Sequence, residues 1–108
     1  MLVLAIVIPF LSGCKEDNKC KLVVKVVDVT NTSIVIPDAY IEISKDAGSI
    51  NAEGKTDIKG EAYFTFDHEA ILDINVGKTD DVGYTRYGKS TVRLIPGETV
   101  EKLVLLQQ

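Results

Sequence analysis

The chain has no tryptophan, a single histidine (His68) and only two cysteines, Cys14 and Cys20, among its 108 residues. With aromatics at 6%, it can bury one modest core with little to spare. One histidine excludes a Ser-His-Asp arrangement elsewhere and leaves a histidine-rich metal centre without ligands. Both cysteines precede the region predicted to fold, so no disulfide is expected to staple a core. Basic blocks are also missing. Twelve Lys and Arg are interspersed with sixteen Asp and Glu, for a net charge of −4, and phosphate binding needs a basic face, which argues against nucleic acid as a partner. No segment shows helical periodicity at useful length, which also removes any glycine-rich phosphate loop opening a helix. The length suits one domain.

What is present begins with an apolar run. Residues 1 to 13 read MLVLAIVIPFLSG, too short to span a bilayer as a helix, which needs roughly 20 apolar residues. The length fits the apolar region of a secretory signal followed by small residues at a cleavage site. No Lys or Arg precedes the run, a departure from the usual basic start of such signals. The segment Leu11-Ser12-Gly13-Cys14 resembles the lipobox of bacterial lipoproteins. The resemblance implies a diacylglyceryl group on the Cys14 thiol, cleavage between Gly13 and Cys14, and acylation of the new amine. Small side chains at 12 and 13 let the backbone approach the processing enzymes, and a thiolate at 14 is the nucleophile. Two or three acyl chains then hold a protein on a membrane where one would be marginal. The residues that follow, Lys15-Glu16-Asp17, are similar to the Lys-plus-acidic signals that send lipoproteins to the cell surface in Bacteroidota. The alternative is a plain solvated tether. The expected organisation is a signal peptide over 1–13, a lipidated cysteine and tether over 14–20, and a folded domain over 21–108. Cys20 is expected as a free thiol or a buried residue at the start of a strand.

From Lys21 the pattern changes to short runs of period 2, the mark of half-buried strands. KLVVKVVDV (21–29) reads as a strand and TNTS (30–33) as a turn. In IVIPDAYIEIS, Ala39, Ile41 and Ile43 share one face and Tyr40, Glu42 and Ser44 the other. KDAGSINAEG (45–54) reads as a loop, KTDI (55–58) as a short strand and Lys59-Gly60 as a turn. In EAYFTFD, Ala62, Phe64 and Phe66 face inward; in AILDINVG (70–77), Leu72, Ile74 and Val76 do. KTDDVG (78–83) reads as a polar loop. YTRYGKSTVRLI (84–95) is a strand with Gly88 expected at a bulge or bend, and after Pro96-Gly97 the segment ETVEKLVLL closes the chain. About seven short strands predict an all-β, antiparallel sandwich. Lys25 is expected to face outward from an edge strand, as a guard against edge-to-edge pairing.

The order of these features resembles the carboxypeptidase regulatory-like domains, which share the prealbumin-like β-sandwich. An opening strand ends in Asp (VVKVVD), a PDAYIEI strand follows, then Thr56-Asp57-Ile58-Lys59-Gly60-Glu61-Ala62-Tyr63-Phe64, an apolar strand ILDINV, a Gly83-Tyr84 pair, and a closing strand after Gly97-Glu98. The match runs over nearly all of residues 21 to 106. TNTSIVIPDA is more apolar than the family's usual first connection. The resemblance implies an accessory, non-enzymatic module, with Tyr84 as a packing residue.

Residues with chemistry are sparse. His68 sits in Phe66-Asp67-His68-Glu69, where strand neighbours point to opposite faces, so it reads as an exposed turn histidine. Asp80 and Asp81, with Asp57 or Asp73 as a third, are the only calcium candidates, and calcium takes six or more oxygens; a solvated loop tip is favoured, with no metal and no cofactor. Tyr40 and Tyr63 fall on outward faces of their strands and are the candidate partner surface. The expectation is a lipid-anchored β-sandwich of the bacterial outer membrane, on its surface or periplasmic face, acting as a structural or interaction module. Its expected partners are the membrane through the anchor and an envelope protein or a glycan. The alternative is a secreted or periplasmic binding protein for a small ligand or glycan.

Overall fold

The computed structural model describes residues 19–45 and 50–108. Seven strands run in chain order: β1 (Cys20–Asp28), β2 (Tyr40–Ser44), β3 (Ile50–Lys55), β4 (Glu61–Phe66), β5 (Ile71–Thr79), β6 (Thr85–Arg93) and β7 (Thr99–Leu106). They form a three-stranded sheet in the order β4-β1-β7 and a four-stranded sheet in the order β3-β2-β5-β6. The alternation read from the sequence sorts the faces. Leu22, Val24 and Val26 of β1, Ile41 and Ile43 of β2, and Leu72, Ile74 and Val76 of β5 are all buried in one core, closed by Val92, Leu94, Val104 and Leu106. Fully burying each such side chain contributes roughly 1.5–3 kcal/mol. Phe64 and Phe66 lie partly buried against this core, with ring centroids 6.4 Å apart.

Four local expectations are corrected. The 45–54 segment is not loop throughout, because Ile50–Lys55 pairs antiparallel with β2. INAEGK carries little β-branched content, and its pairing comes from β2 rather than from local propensity. Lys55-Thr56-Asp57-Ile58 is no separate strand, since β3 ends at Lys55 and a turn follows. β1 is no edge strand: β4 pairs with it on one side and β7 on the other, so Lys25 lies on the outward face of a central strand. The sandwich is also not wholly antiparallel, for β1 and β7, the opening and closing strands, run parallel.

Gly88 makes no bulge either. It keeps the regular β5–β6 register opposite Val76. Its missing side chain serves a close approach instead. A Cβ there would lie 2.6 Å from the Leu105 carbonyl oxygen and 3.0 Å from Val104 Cγ1. β6 and β7, edge strands of different sheets, meet at this point, and the Gln107 amide donates to the Tyr87 carbonyl at 2.8 Å.

Two turns share one construction, one crossing between the sheets from β3 to β4 and one joining the paired strands β5 and β6. In Asp57-Ile58-Lys59-Gly60-Glu61, the Asp57 carboxylate accepts the amides of Lys59 and Glu61 at 2.9 and 3.1 Å, and the Gly60 amide donates to the Asp57 carbonyl at 2.9 Å. In Asp80-Asp81-Val82-Gly83-Tyr84, Asp80 does the same for Val82 and Tyr84 at 3.1 and 2.9 Å, and Gly83 donates to the Asp80 carbonyl at 3.0 Å. Both glycines take positive φ, +76° and +90°, as a turn closed by a left-handed residue requires. The aspartates satisfy loop amides that no strand reaches.

Candidate functional site

The outward face of the four-stranded sheet carries two depressions lined by polar and aromatic side chains. Strand alternation places Tyr40, Glu42 and Ser44 of β2 there, with Asp73, Asn75 and Gly77 of β5 and Tyr87, Lys89 and Thr91 of β6. The register assembles them into rows across the strands: Tyr40–Gly77–Tyr87, Glu42–Asn75–Lys89 and Ser44–Asp73–Thr91.

In the first row a residue without a side chain stands between two tyrosines. The result is a notch of about 220 Å³ lined by Tyr40, Glu42, Asn75, Val76, Gly77 and Tyr87. The Tyr87 ring passes 3.8 Å from where a Gly77 Cβ would stand. Tyr40 leans the other way, its hydroxyl donating to the Glu53 carboxylate on β3. That hydrogen bond, with lesser contributions from burial and the Glu53 and Glu42 charges, pushes the Tyr40 phenol up to about 12. The phenol therefore stays neutral and oriented. Asn75 also borders a second, larger depression, a trough of about 670 Å³ lined by Ser44, Asp73, Ile74, Asn75, Lys89, Ser90 and Thr91. Its lining supplies both donors and acceptors, and both signs of charge, in Asp73 and Lys89, are present.

Gly13, Cys14, Lys15, Glu16 and Asp17 lie outside the described residues. Tyr40 and Tyr63 both point outward, but from different sheets, so the fold does not bring them onto one surface. The Tyr63 hydroxyl donates to Glu61 at 2.5 Å, and this bond raises its phenol pKa. The aromatic that does share a face with Tyr40 is Tyr87, which sequence reading left without a role. The available signal was an outward-facing glycine in a strand, and it acquires meaning only through the register. Tyr84 is not a packing residue: it is 55% exposed, and its backbone amide, not its ring, is engaged by Asp80.

His68 is exposed, and the neighbouring Asp67 carboxylate is ion-paired with Lys19, which lowers its pKa. The carboxylates of Asp57 and Asp80 are occupied by loop amides, and Asp73 accepts from the Thr91 hydroxyl at 3.5 Å. Among the described residues no three His, Cys, Asp or Glu side chains gather as metal ligands. Cys20 opens β1 fully buried, with a free thiol.

Among the described residues, Asp28, at the end of β1, is a strongly held carboxylate. The Thr30 hydroxyl and amide donate to one oxygen at 2.7 and 2.8 Å, and Arg86 of β6 donates to the other at 3.1 Å. These bonds hold its pKa down at about 2. Asp28 and Arg86 thereby tie the two sheets together, a structural use of one of the two arginines.

No family model matches the chain, and no curated protein matches it in sequence.

Proposed function

We propose that this protein is a non-enzymatic β-sandwich lipoprotein of the bacterial outer membrane, a small structural or interaction module held by acyl chains on Cys14. The observation that carries this reading is Leu11-Ser12-Gly13-Cys14, a lipobox-like processing site placed shortly before the first strand at Cys20. In support, the tether would enter at a defined end of the sandwich. Lys19 accepts the Gly97 amide at 3.0 Å through its carbonyl and pairs with Asp67 through its ammonium. The end bearing the 57–60 and 80–83 turns, and both sheet faces, would then be presented away from the bilayer. Lys15-Glu16-Asp17 would direct the protein to the cell surface.

The membership we propose is the carboxypeptidase regulatory-like group with its prealbumin-like fold. Its quoted features fall on distinct elements: Asp28 ends β1, the Thr-Asp-x-x-Gly stretch makes the turn before β4, and Gly97-Glu98 precedes β7. A non-enzymatic role is favoured because the one histidine, His68, is solvent-exposed, and among the described residues no side chain is seen to orient it as a base. A secreted or periplasmic binding protein is the second reading, favoured by the notch and trough on the four-stranded sheet.

Intact mass of the protein from the membrane fraction, beside a Cys14→Ala variant, tests the anchor. The expected mass is that of residues 14–108 plus two or three acyl chains, lost in the variant. A soluble, unacylated product would overturn it. Protease shaving of whole cells then separates surface from periplasm.

A further inference from the structure

We infer that the outward face of the β3-β2-β5-β6 sheet binds a neutral glycan, with one pyranose ring seated over Gly77 between Tyr40 and Tyr87 and the chain continuing along the trough past Asn75. The inference deepens the proposed interaction role and does not depend on the anchor.

Four observations select this ligand class. First, the notch has aromatic walls and a floor without a side chain. A saturated ring presents C–H groups to an aromatic face, and tyrosine offers that contact area at low entropic cost. Tyr40 is held in place by Glu53, so little ordering is left for the ligand to impose. Second, the next row supplies an acceptor, an amide and a donor in Glu42, Asn75 and Lys89. Ligand hydroxyls both donate and accept, so a mixed row suits them. Third, the face carries Glu42, Glu53 and Asp73 against Lys55 and Lys89, which leaves no strong field of either sign. An anionic or cationic polymer would need one. Fourth, β2 and β5 are both flanked by strands on either side. Their backbone groups are used in the sheet, so an added peptide strand has nothing to pair with on this face. A ligand must be held by side chains alone. The size agrees: the notch of about 220 Å³ and the trough of about 670 Å³ share Asn75 as a border, and together they are room for a chain of rings rather than one.

The test is affinity electrophoresis of the full chain through gels containing amylopectin, xylan, galactomannan or a mixed-linkage β-glucan, with polygalacturonate as the anionic comparison. Retardation is expected in at least one neutral gel. Tyr87→Ala and Asn75→Ala should each weaken it roughly tenfold in Kd, whereas Tyr63→Ala on the other sheet should not change it. Asn75 is half-exposed, so that variant keeps the test decisive if Tyr87→Ala unfolds, and urea unfolding identifies such a failure. Passage through every neutral gel without retardation overturns the inference. So does retention by polygalacturonate alone, or retention that survives both Tyr87→Ala and Asn75→Ala. The anchor is judged separately: an unacylated chain that is still retarded removes the anchor and keeps the glycan site, and an acylated chain that is not retarded does the reverse.

Discussion

Thr56 and Ala39 are joined twice. The Ala39 amide donates to the Thr56 hydroxyl at 2.8 Å, and the Thr56 amide donates to the Ala39 carbonyl at 3.0 Å. The same hydroxyl donates onward to the Ile36 carbonyl at 2.7 Å, and the Asp38 amide donates to the Thr56 carbonyl at 2.9 Å. One buried side chain thus holds the whole 36–39 connection, including Asp38 at φ +58°, against the end of β3. This gives the threonine of the Thr-Asp-x-x-Gly stretch a physical task. The aspartate builds the turn, the glycine closes it, and the threonine clamps the preceding connection.

Replacing Thr56 with valine keeps the shape and removes the hydroxyl. The Ala39 amide and the Ile36 carbonyl then lose their buried partner, at about 2–4 kcal/mol for the two groups together. Urea unfolding should show a lower midpoint at unchanged slope. Thr56→Ser, which restores the hydroxyl, should recover most of the loss. Equal midpoints for Val and Ser would remove the clamp from the account.

Gly88 and Gly77 lie on neighbouring strands and should respond oppositely to alanine. At Gly88 the new methyl meets the Leu105 carbonyl at 2.6 Å, backbone that cannot turn aside. The expected cost is about 1–3 kcal/mol or more from overpacking. At Gly77 it meets only the Tyr87 ring, at 3.8 Å. There the change should be neutral or stabilising by up to about 1 kcal/mol, because glycine in a strand interior is unfavourable. Thermal melts of both single variants compare the two directly.

Asp28 makes stability depend on acid pH. Its folded pKa of about 2 lies below the ordinary 3.8, so the ionised form is the one the fold favours. The contribution is fully present above 3.8 and is lost as pH falls toward about 2. Asp67, lowered by Lys19, acts in the same direction. Asp28→Asn should therefore flatten the fall in unfolding midpoint across that window without abolishing it. A variant with the wild-type slope would place the acid sensitivity elsewhere.

Cys20 should be chemically silent in the folded protein. It is 0% exposed at the start of β1, opposite Phe66, so a reagent cannot reach its sulfur while the strand stays paired. In a Cys14→Ala chain, iodoacetamide should leave Cys20 unmodified under native conditions and modify it in guanidinium chloride. Rapid native alkylation would mean that the start of β1 opens readily.

Much of the architecture was legible from period-2 alternation. Ala39, Ile41, Ile43, Ala62, Leu72, Ile74 and Val76 are buried as the alternation predicts. The turn at Pro96-Gly97 is also where it was expected, with Gly97 at φ +77° and the Glu98 amide donating to the Ile95 carbonyl at 3.1 Å. β3 was missed because INAEGK lacks a strand composition. Ser44 was assigned outward and is nonetheless buried, at 7%. Tyr84 was misassigned because an ordered Gly-Tyr pair says nothing about where the ring goes.

The chain's own pattern was enough for most of the strands and for their inward and outward faces, because each is carried by neighbours within a few residues: apolar alternation and turn glycines. Sheet membership, the parallel pairing of β1 with β7, the contact of Gly88 with Leu105 and the row Tyr40–Gly77–Tyr87 came only with the folded chain. Each joins segments far apart in sequence, and which of them become neighbours depends on how two sheets share one core. Local propensity carries no record of that choice.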